Sequence, residues 1–129
     1  MIRVMIVDDS ILARKALEKS LSGDPEISIV GMASNGKEAL QRIPEFQPEV
    51  MTCDLEMPEM DGVETLMHVR KQFPQVKVII LSSLTQPNSP KEAICKNLGA
   101  SAVLAKPKEH SNLKISERKD ELLETIKRV

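Results

Sequence analysis

Aromatic residues are almost missing from this chain: Phe46 and Phe73 stand alone, and there is no Trp or Tyr. The interior must therefore be assembled from Ile, Leu, Val, Met and Ala. Cysteine is scarce too. Cys53 and Cys95 lie far apart, without the spacing of a metal-ligand pair, which leaves them as small core residues. No run approaches the ~20 apolar residues of a membrane span. The N-terminal Met1-Ile2-Arg3-Val4 enters a strand pattern at once and lacks the layout of a signal peptide, so a cytoplasmic protein with no membrane insertion is expected. The formal charge of −1 gives no electrostatic footprint for nucleic acid or a membrane surface.

What is present suits one globular domain spanning 1–129: 129 residues, 41% apolar and 29% charged. Short apolar runs at 2–7, 27–33, 50–53, 76–81 and 102–105 have the length and composition of buried strands. Between them lie segments with helical spacing. The first carries Leu12, Ala13, Ala16, Leu17 and Leu21 on one face. The second runs from Asn35-Gly36 to about Ile43, with Pro44 and Pro48 bracketing the loop that follows. The third carries Val63, Leu66, Met67 and Val69. The fourth ends near Leu98 before Gly99, a natural cap. The last runs from about Ser116 to Arg128, with Leu122, Leu123 and Ile126 inward. Met5, Met32, Met51 and Met67 belong to the predicted core, whereas Met57 and Met60 lie in the loop after the third strand. Five strands alternating with five helices predict an α/β, doubly wound parallel sheet with helices on both faces.

The chemistry lies in where the polar residues fall. Four predicted strands end in Asp8-Asp9, Asp54, Ser82 and Lys106. In a parallel sheet these ends share one edge, and ligands bind outside it. Taken singly, each Asp would be a turn residue or a helix cap, the role expected of Asp61. Taken together, three carboxylates, a hydroxyl and an ammonium make one site. Three neighbouring carboxylates repel, and a hard divalent cation relieves them; Mg²⁺ prefers a few carboxylate oxygens, waters and a phosphate oxygen. Lys106 and Ser82 add a charge and a donor for phosphoryl oxygens, and aspartate is a known covalent phosphate acceptor.

Val7-Asp8-Asp9-Ser10, the run from Asp54 to Gly62, Leu81-Ser82-Ser83-Leu84 and Ala105-Lys106-Pro107 together resemble the response-regulator receiver family over nearly the whole chain. The resemblance implies a flavodoxin-like fold with strand order 2-1-3-4-5. It implies Asp54 as phosphoacceptor, and Mg²⁺ held by Asp9 directly, Asp8 partly through water, Asp54, and the backbone carbonyl of Glu56. It also implies Ser82 as the switch hydroxyl, Lys106 as the partner of the phosphoryl group, and Pro107 after a cis peptide. A histidine kinase would be the phosphodonor and a protein contact the output, through a downstream target or a tethered effector domain.

The double serine and the loop from Leu84 to Pro90 are most similar to chemotaxis receivers, both stand-alone regulators and the regulatory domain of the chemotaxis methylesterase. The end of the sequence just after its last helix favours the stand-alone form. One departure is Val103, where many receivers carry an aromatic residue three positions before the lysine. An Asp-nucleophile hydrolase is the competing class, but such enzymes carry a second Asp two residues on, where this chain has Glu56. Phosphate-binding glycine motifs are absent, and no DNA-binding unit follows. The chain is thus expected to be a phosphoacceptor switch and not an enzyme, with at most slow self-dephosphorylation.

Overall fold

The computed structural model describes residues 1–82, 89–106 and 115–129, with 115–119 described by their backbone alone. Five strands alternate with five helices among the described residues. In chain order they are β1 (Ile2–Val7), α1 (Ile11–Ser22), β2 (Ile27–Ala33), α2 (Gly36–Phe46), β3 (Val50–Asp54), α3 (Gly62–Gln72), β4 (Lys77–Ser82), α4 (Pro90–Asn97), β5 (Ala102–Ala105) and α5 (Ile115–Arg128). The strands pair in parallel in the order β2-β1-β3-β4-β5. This is the expected flavodoxin-like, doubly wound sheet.

Each face of the sheet has its own core. Val4 and Ile6 of β1, Val50 of β3, and Ile79 and Leu81 of β4 pack with Leu17 and Leu21 of α1 and Leu122 and Ile126 of α5. The alternate residues Met5, Val7, Met51, Cys53, Val78 and Ile80 pack with Ala39 and Ile43 of α2, Leu66 and Val69 of α3 and Cys95 of α4. Strands covered on both faces need apolar side chains at every position, which is why these runs are continuous. Fully burying one side chain such as Leu66 stabilises by roughly 1.5–3 kcal/mol. Both cysteines are buried and unpaired, as expected.

Several local expectations need correction. The pairing of β2 with β1 is not a plain run in register: Val4 pairs with Ile29 but Met5 pairs with Gly31, so the register skips Val30. Gly31 then lies against the Phe46 ring, closer than any side chain would allow. Helix α2 does not stop before Pro44 but contains it and runs on to Phe46. The Arg3 guanidinium, reaching from β1, binds the carbonyls of Phe46 and Gln47 and so satisfies the end of the helix. Leu12 and Ala16 of α1 are exposed, leaving Leu17 and Leu21 as its buried residues, because its first turn starts beyond the end of β1. Met67 is exposed on α3 and not core. Met57, by contrast, is buried in the core against α2, α3 and α4.

Other local signals hold. Ser10, Asn35 and Asp61 cap α1, α2 and α3 with their side chains. Gly99 takes φ +101° just past α4, and the Ala100 N–H closes back on the Cys95 carbonyl at 3.0 Å, a glycine-dependent helix stop. Ser83, most of the loop up to Pro90, the Lys106–Pro107 peptide and His110 lie outside the described residues.

Thr52 is fully buried in the middle of β3, and its hydroxyl meets no hydrogen-bond partner among the described residues. A buried donor without a partner costs roughly 1–3 kcal/mol, and valine has nearly the same shape. Thr52→Val should therefore raise stability by about 1 kcal/mol, seen as a higher urea midpoint at unchanged slope. A lower midpoint would mean that the hydroxyl is satisfied in solution.

Candidate functional site

Backbone hydrogen bonds hold the carboxyl ends of the strands in place, β1 on β2, β3 on β4 and β5 on β4. Asp8 N–H donates to Ala33 O at 3.1 Å, Leu55 N–H to Leu81 O at 2.9 Å, and Lys106 N–H to Ser82 O at 2.8 Å. The sheet thus delivers Asp8, Asp54, Ser82 and Lys106 to one place, as the order of apolar runs predicts. Asp8, Asp54 and Ser82 are buried, and Asp9 is exposed at the rim. One carboxylate oxygen from each of Asp8, Asp9 and Asp54 lies within 4.8 Å of the others.

Lys106 is the counter-charge. Its Nζ lies 2.7 Å from Asp8 Oδ2 and 3.2 Å from Asp54 Oδ2. Burial works against its charge, but the two carboxylates outweigh it and raise the ammonium pKa above its ordinary value. Apart from this close ion pair, the buried Asp8 Oδ2 meets no partner among the described residues, so it keeps a second lone pair to offer. The other oxygen, Oδ1, accepts from the Ser10 N–H at 2.9 Å.

Asp54 is pulled both ways. Burial pushes its pKa up most strongly, Lys106 pulls it down, Asp8 pushes it up again, and hydrogen bonds from Lys106 and the Glu56 N–H favour the charged form. The outcome is a carboxyl raised from 3.8 to about 6. Its backbone is fixed from behind. A side chain on Gly62 would lie 2.7 Å from both the Asp54 carbonyl oxygen and Leu55 Cα, so α3 starts flush against the strand end only because residue 62 is glycine. The Gly62 N–H donates to Leu55 O at 2.9 Å.

Glu56 is exposed and turns its carboxylate away from the cluster towards Lys91 of α4, 3.6 Å off, which also lies 3.7 Å from Asp61. Its side chain is thus not part of the acidic group, in keeping with a role for its backbone carbonyl alone. His68 is half-buried on α3 and not among the clustered residues. A wide concavity of about 750 Å³ lies elsewhere, at the amino ends of the strands between Pro44, Phe73 and Ile126. Its lining lacks the convergent carboxylates that would make it the reactive site.

The donor set can be tested against a metal. Octahedral Mg²⁺ with ligands at 2.0–2.1 Å places donor oxygens ~3 Å apart when adjacent and ~4 Å when opposite. Three oxygens within 4.8 Å meet that span with a small side-chain shift or one intervening water. All donors are oxygen, and Asp8 has a spare buried lone pair, so the residues fit a hard divalent cation.

Two charged residues at the site went unnoticed in the sequence. Arg14 of α1 reaches back to donate from Nη1 to the Asp8 carbonyl at 2.6 Å. Its signal is an arginine four residues after the helix cap Ser10, within reach of the end of the preceding strand. Lys91 had no local signal, because its partners are 30 and more residues away.

The comparisons agree with this geometry. The family model described as "Response regulator receiver domain" matches residues 4–116. A protein-glutamate methylesterase/protein-glutamine glutaminase of Carboxydothermus hydrogenoformans is 42% identical over 128 residues, 99% of this chain but 36% of that protein. A second, from Koribacter versatilis, is 42% identical over 98% of this chain and 34% of that protein. The chain therefore spans about a third of the length of these relatives. Among solved structures, the response regulator domain of Thermotoga maritima CheB superposes with a TM-score of 0.88 at 35% identity, over 99% of this chain and 95% of that one. A chain of the complex between the P1 domain of CheA3 and CheY6 from R. sphaeroides gives 0.79 at 32%, over 98% and 95%. With four strand ends converging as the motifs predict, and with these similarities over nearly its full length, the chain belongs to the response regulator receiver domain family.

Proposed function

We propose that Asp54 accepts a phosphoryl group in a Mg²⁺-dependent reaction and that the resulting change in charge switches a protein–protein contact. The observation that carries this is Lys106 standing between two buried carboxylates, Asp8 and Asp54, with Asp9 at the open rim. Asp8, Asp9, Asp54 and the Glu56 backbone carbonyl would hold the metal, which when bound supplies positive charge against the phosphoryl oxygens. An Asp54 carboxylate oxygen attacks the phosphorus of a phosphohistidine. The P–O bond forms as the P–N bond breaks, and the electron pair leaves with the imidazole, which then takes up a proton. Lys106 keeps its proton and moves from carboxylate to phosphoryl oxygen. The Ser82 hydroxyl donates to a second phosphoryl oxygen. Both bonds exist only in the phosphorylated arrangement, and that difference shifts the population.

The donor would be a chemotaxis-type histidine kinase, a reading supported by the similarity to a chain from the CheA3 P1–CheY6 complex. The methylesterase relatives support a role in chemotaxis, with the output passing to a separate target or to a tethered effector domain. Its place of action in this reading is the cytoplasm, where such a kinase would present its phosphohistidine. Phosphoacceptor hydrolase chemistry fits less well, since the Glu56 carboxylate, the candidate proton donor, faces Lys91 and not Asp54.

Incubation with Mg²⁺ and a small acyl phosphate should add the mass of one phosphoryl group in an alkali-labile linkage, and Asp54→Asn should abolish it. Labelling that survives this substitution would refute the acceptor assignment. Calorimetric titration, needed because no Trp or Tyr is present to report binding, should show Asp9→Asn weakening Mg²⁺ by about tenfold or more and Glu56→Gln by less than about twofold. Equal losses would remove Asp9 from the ligand set.

The raised Asp54 pKa sets a pH dependence in metal-free buffer. A carboxyl at about 6 in the fold and near 3.8 when unfolded binds more protons in the native state between those values. Its contribution to stability is complete below about 3.8 and is lost as pH rises through about 6. Urea unfolding at pH 4 and pH 7 should therefore show wild type losing stability relative to Asp54→Asn as pH rises. A gap that stays constant, or narrows the other way, would contradict the raised value.

A further inference from the structure

An attachment at the site that the chemistry above does not use is the Arg14 guanidinium on the Asp8 carbonyl. Asp8 lies one residue past the end of β1, where the ladder with β2 and β3 has run out at Val7. Its carbonyl would otherwise have no strand partner, and Arg14, half-buried on the first turns of α1, supplies the donor at 2.6 Å. That carbonyl belongs to the Asp8–Asp9 peptide unit. Fixing it fixes the plane that sets the direction of Asp9 Cα–Cβ.

Asp9 needs this. Asp8 is pinned through its N–H to Ala33, through Oδ1 to Ser10 and through Oδ2 against Lys106. Asp9 is exposed, and its carboxylate makes no hydrogen bond or ion pair with a described residue. Only the backbone aims it at the other two carboxylates. Charge alone predicts the reverse of a helpful arginine, because a guanidinium beside a cation site repels the cation.

We propose that Arg14 is a positioning residue for the metal pair: by holding the Asp8–Asp9 peptide it sets Asp9 for Mg²⁺, against the electrostatic penalty of its own charge. This role rests on the metal-dependent phosphoacceptor assignment above. Groups that orient metal ligands typically change affinity 10–100-fold when removed.

The sign of the effect tests it. Mg²⁺ is titrated calorimetrically into the full chain as wild type, Arg14→Met, Arg14→Lys and Lys15→Met, the last removing the same charge from the exposed neighbouring position. Arg14→Met should weaken binding about tenfold, whereas Lys15→Met should leave it unchanged or slightly tighter. The Mg²⁺ concentration for half-maximal acyl-phosphate labelling should rise by the same factor, and the labelling rate at saturating Mg²⁺ should change by much less. If Arg14→Met proves unfolded by circular dichroism, Arg14→Lys carries the test; with its charge kept and one donor left, it should bind within about threefold of wild type but no tighter. Binding by Arg14→Met equal to or tighter than wild type would show that the residue acts by charge alone and overturn the proposal. Failure of wild type itself to bind Mg²⁺ would instead refute the metal-dependent assignment.

Discussion

Like charges gathered at the dry end of a parallel sheet set the terms for everything else in this molecule. Asp8 and Asp54 are buried side by side, and neither can retreat, because each is fixed at or beside a strand end by backbone hydrogen bonds. Isolated ionised carboxylates are not tolerated in such surroundings. The fold answers with one long flexible cation, Lys106, delivered from the end of β5 to lie between them. Even so the balance stays unfavourable, and burial leaves Asp54 with its pKa raised to about 6. A site under this strain favours any arrangement that brings more positive charge to it.

The backbone around Asp54 has little room to yield. Gly62 packs on the Asp54 carbonyl, Leu55 is tied to Leu81, and Lys106 to Ser82. Lys91, at the start of α4, lies within ion-pair distance of Glu56 and Asp61 in the loop after β3. Glu56 is exposed and the other two are partly so, and such solvent-screened pairs contribute little to stability. They do mark where that loop and α4 meet.

The sheet was legible in the sequence because its central strands β1, β3 and β4 are buried on both faces, which leaves continuous apolar runs that end abruptly at polar residues. The ends of those runs placed Asp8, Asp54, Ser82 and Lys106 together, and Ser10, Asn35, Asp61 and Gly99 announced their helix ends by local chemistry alone. The misses share one cause: they depend on partners distant in the chain. Helix α2 runs on past Pro44 to Phe46, where Arg3, some forty residues earlier, donates to the carbonyls of Phe46 and Gln47 at its end. Leu12 and Met67 have helical spacing suited to a core, but at those points no sheet lies beneath them. The skipped register at Val30 follows from how β2 meets β1, which no pattern within β2 encodes.

Counting charge explains why a hydroxyl belongs at the end of β4. Three carboxylates against one ammonium leave an excess of about two negative charges, which one divalent cation balances. Phosphorylation of Asp54 replaces a single negative charge by nearly two and adds oxygen acceptors. In the proposed state the group is therefore negative again, and it has lone pairs that Lys106, already shared with Asp8, cannot satisfy alone. A further donor has to come from a neighbouring strand end, and β4 lies between β3 and β5 with Ser82 at that level. Drawing the Ser82 hydroxyl inward would pull on the end of β4 itself. On this proposal, the same charge imbalance that stresses the unmodified site would be the force that draws Ser82 inward.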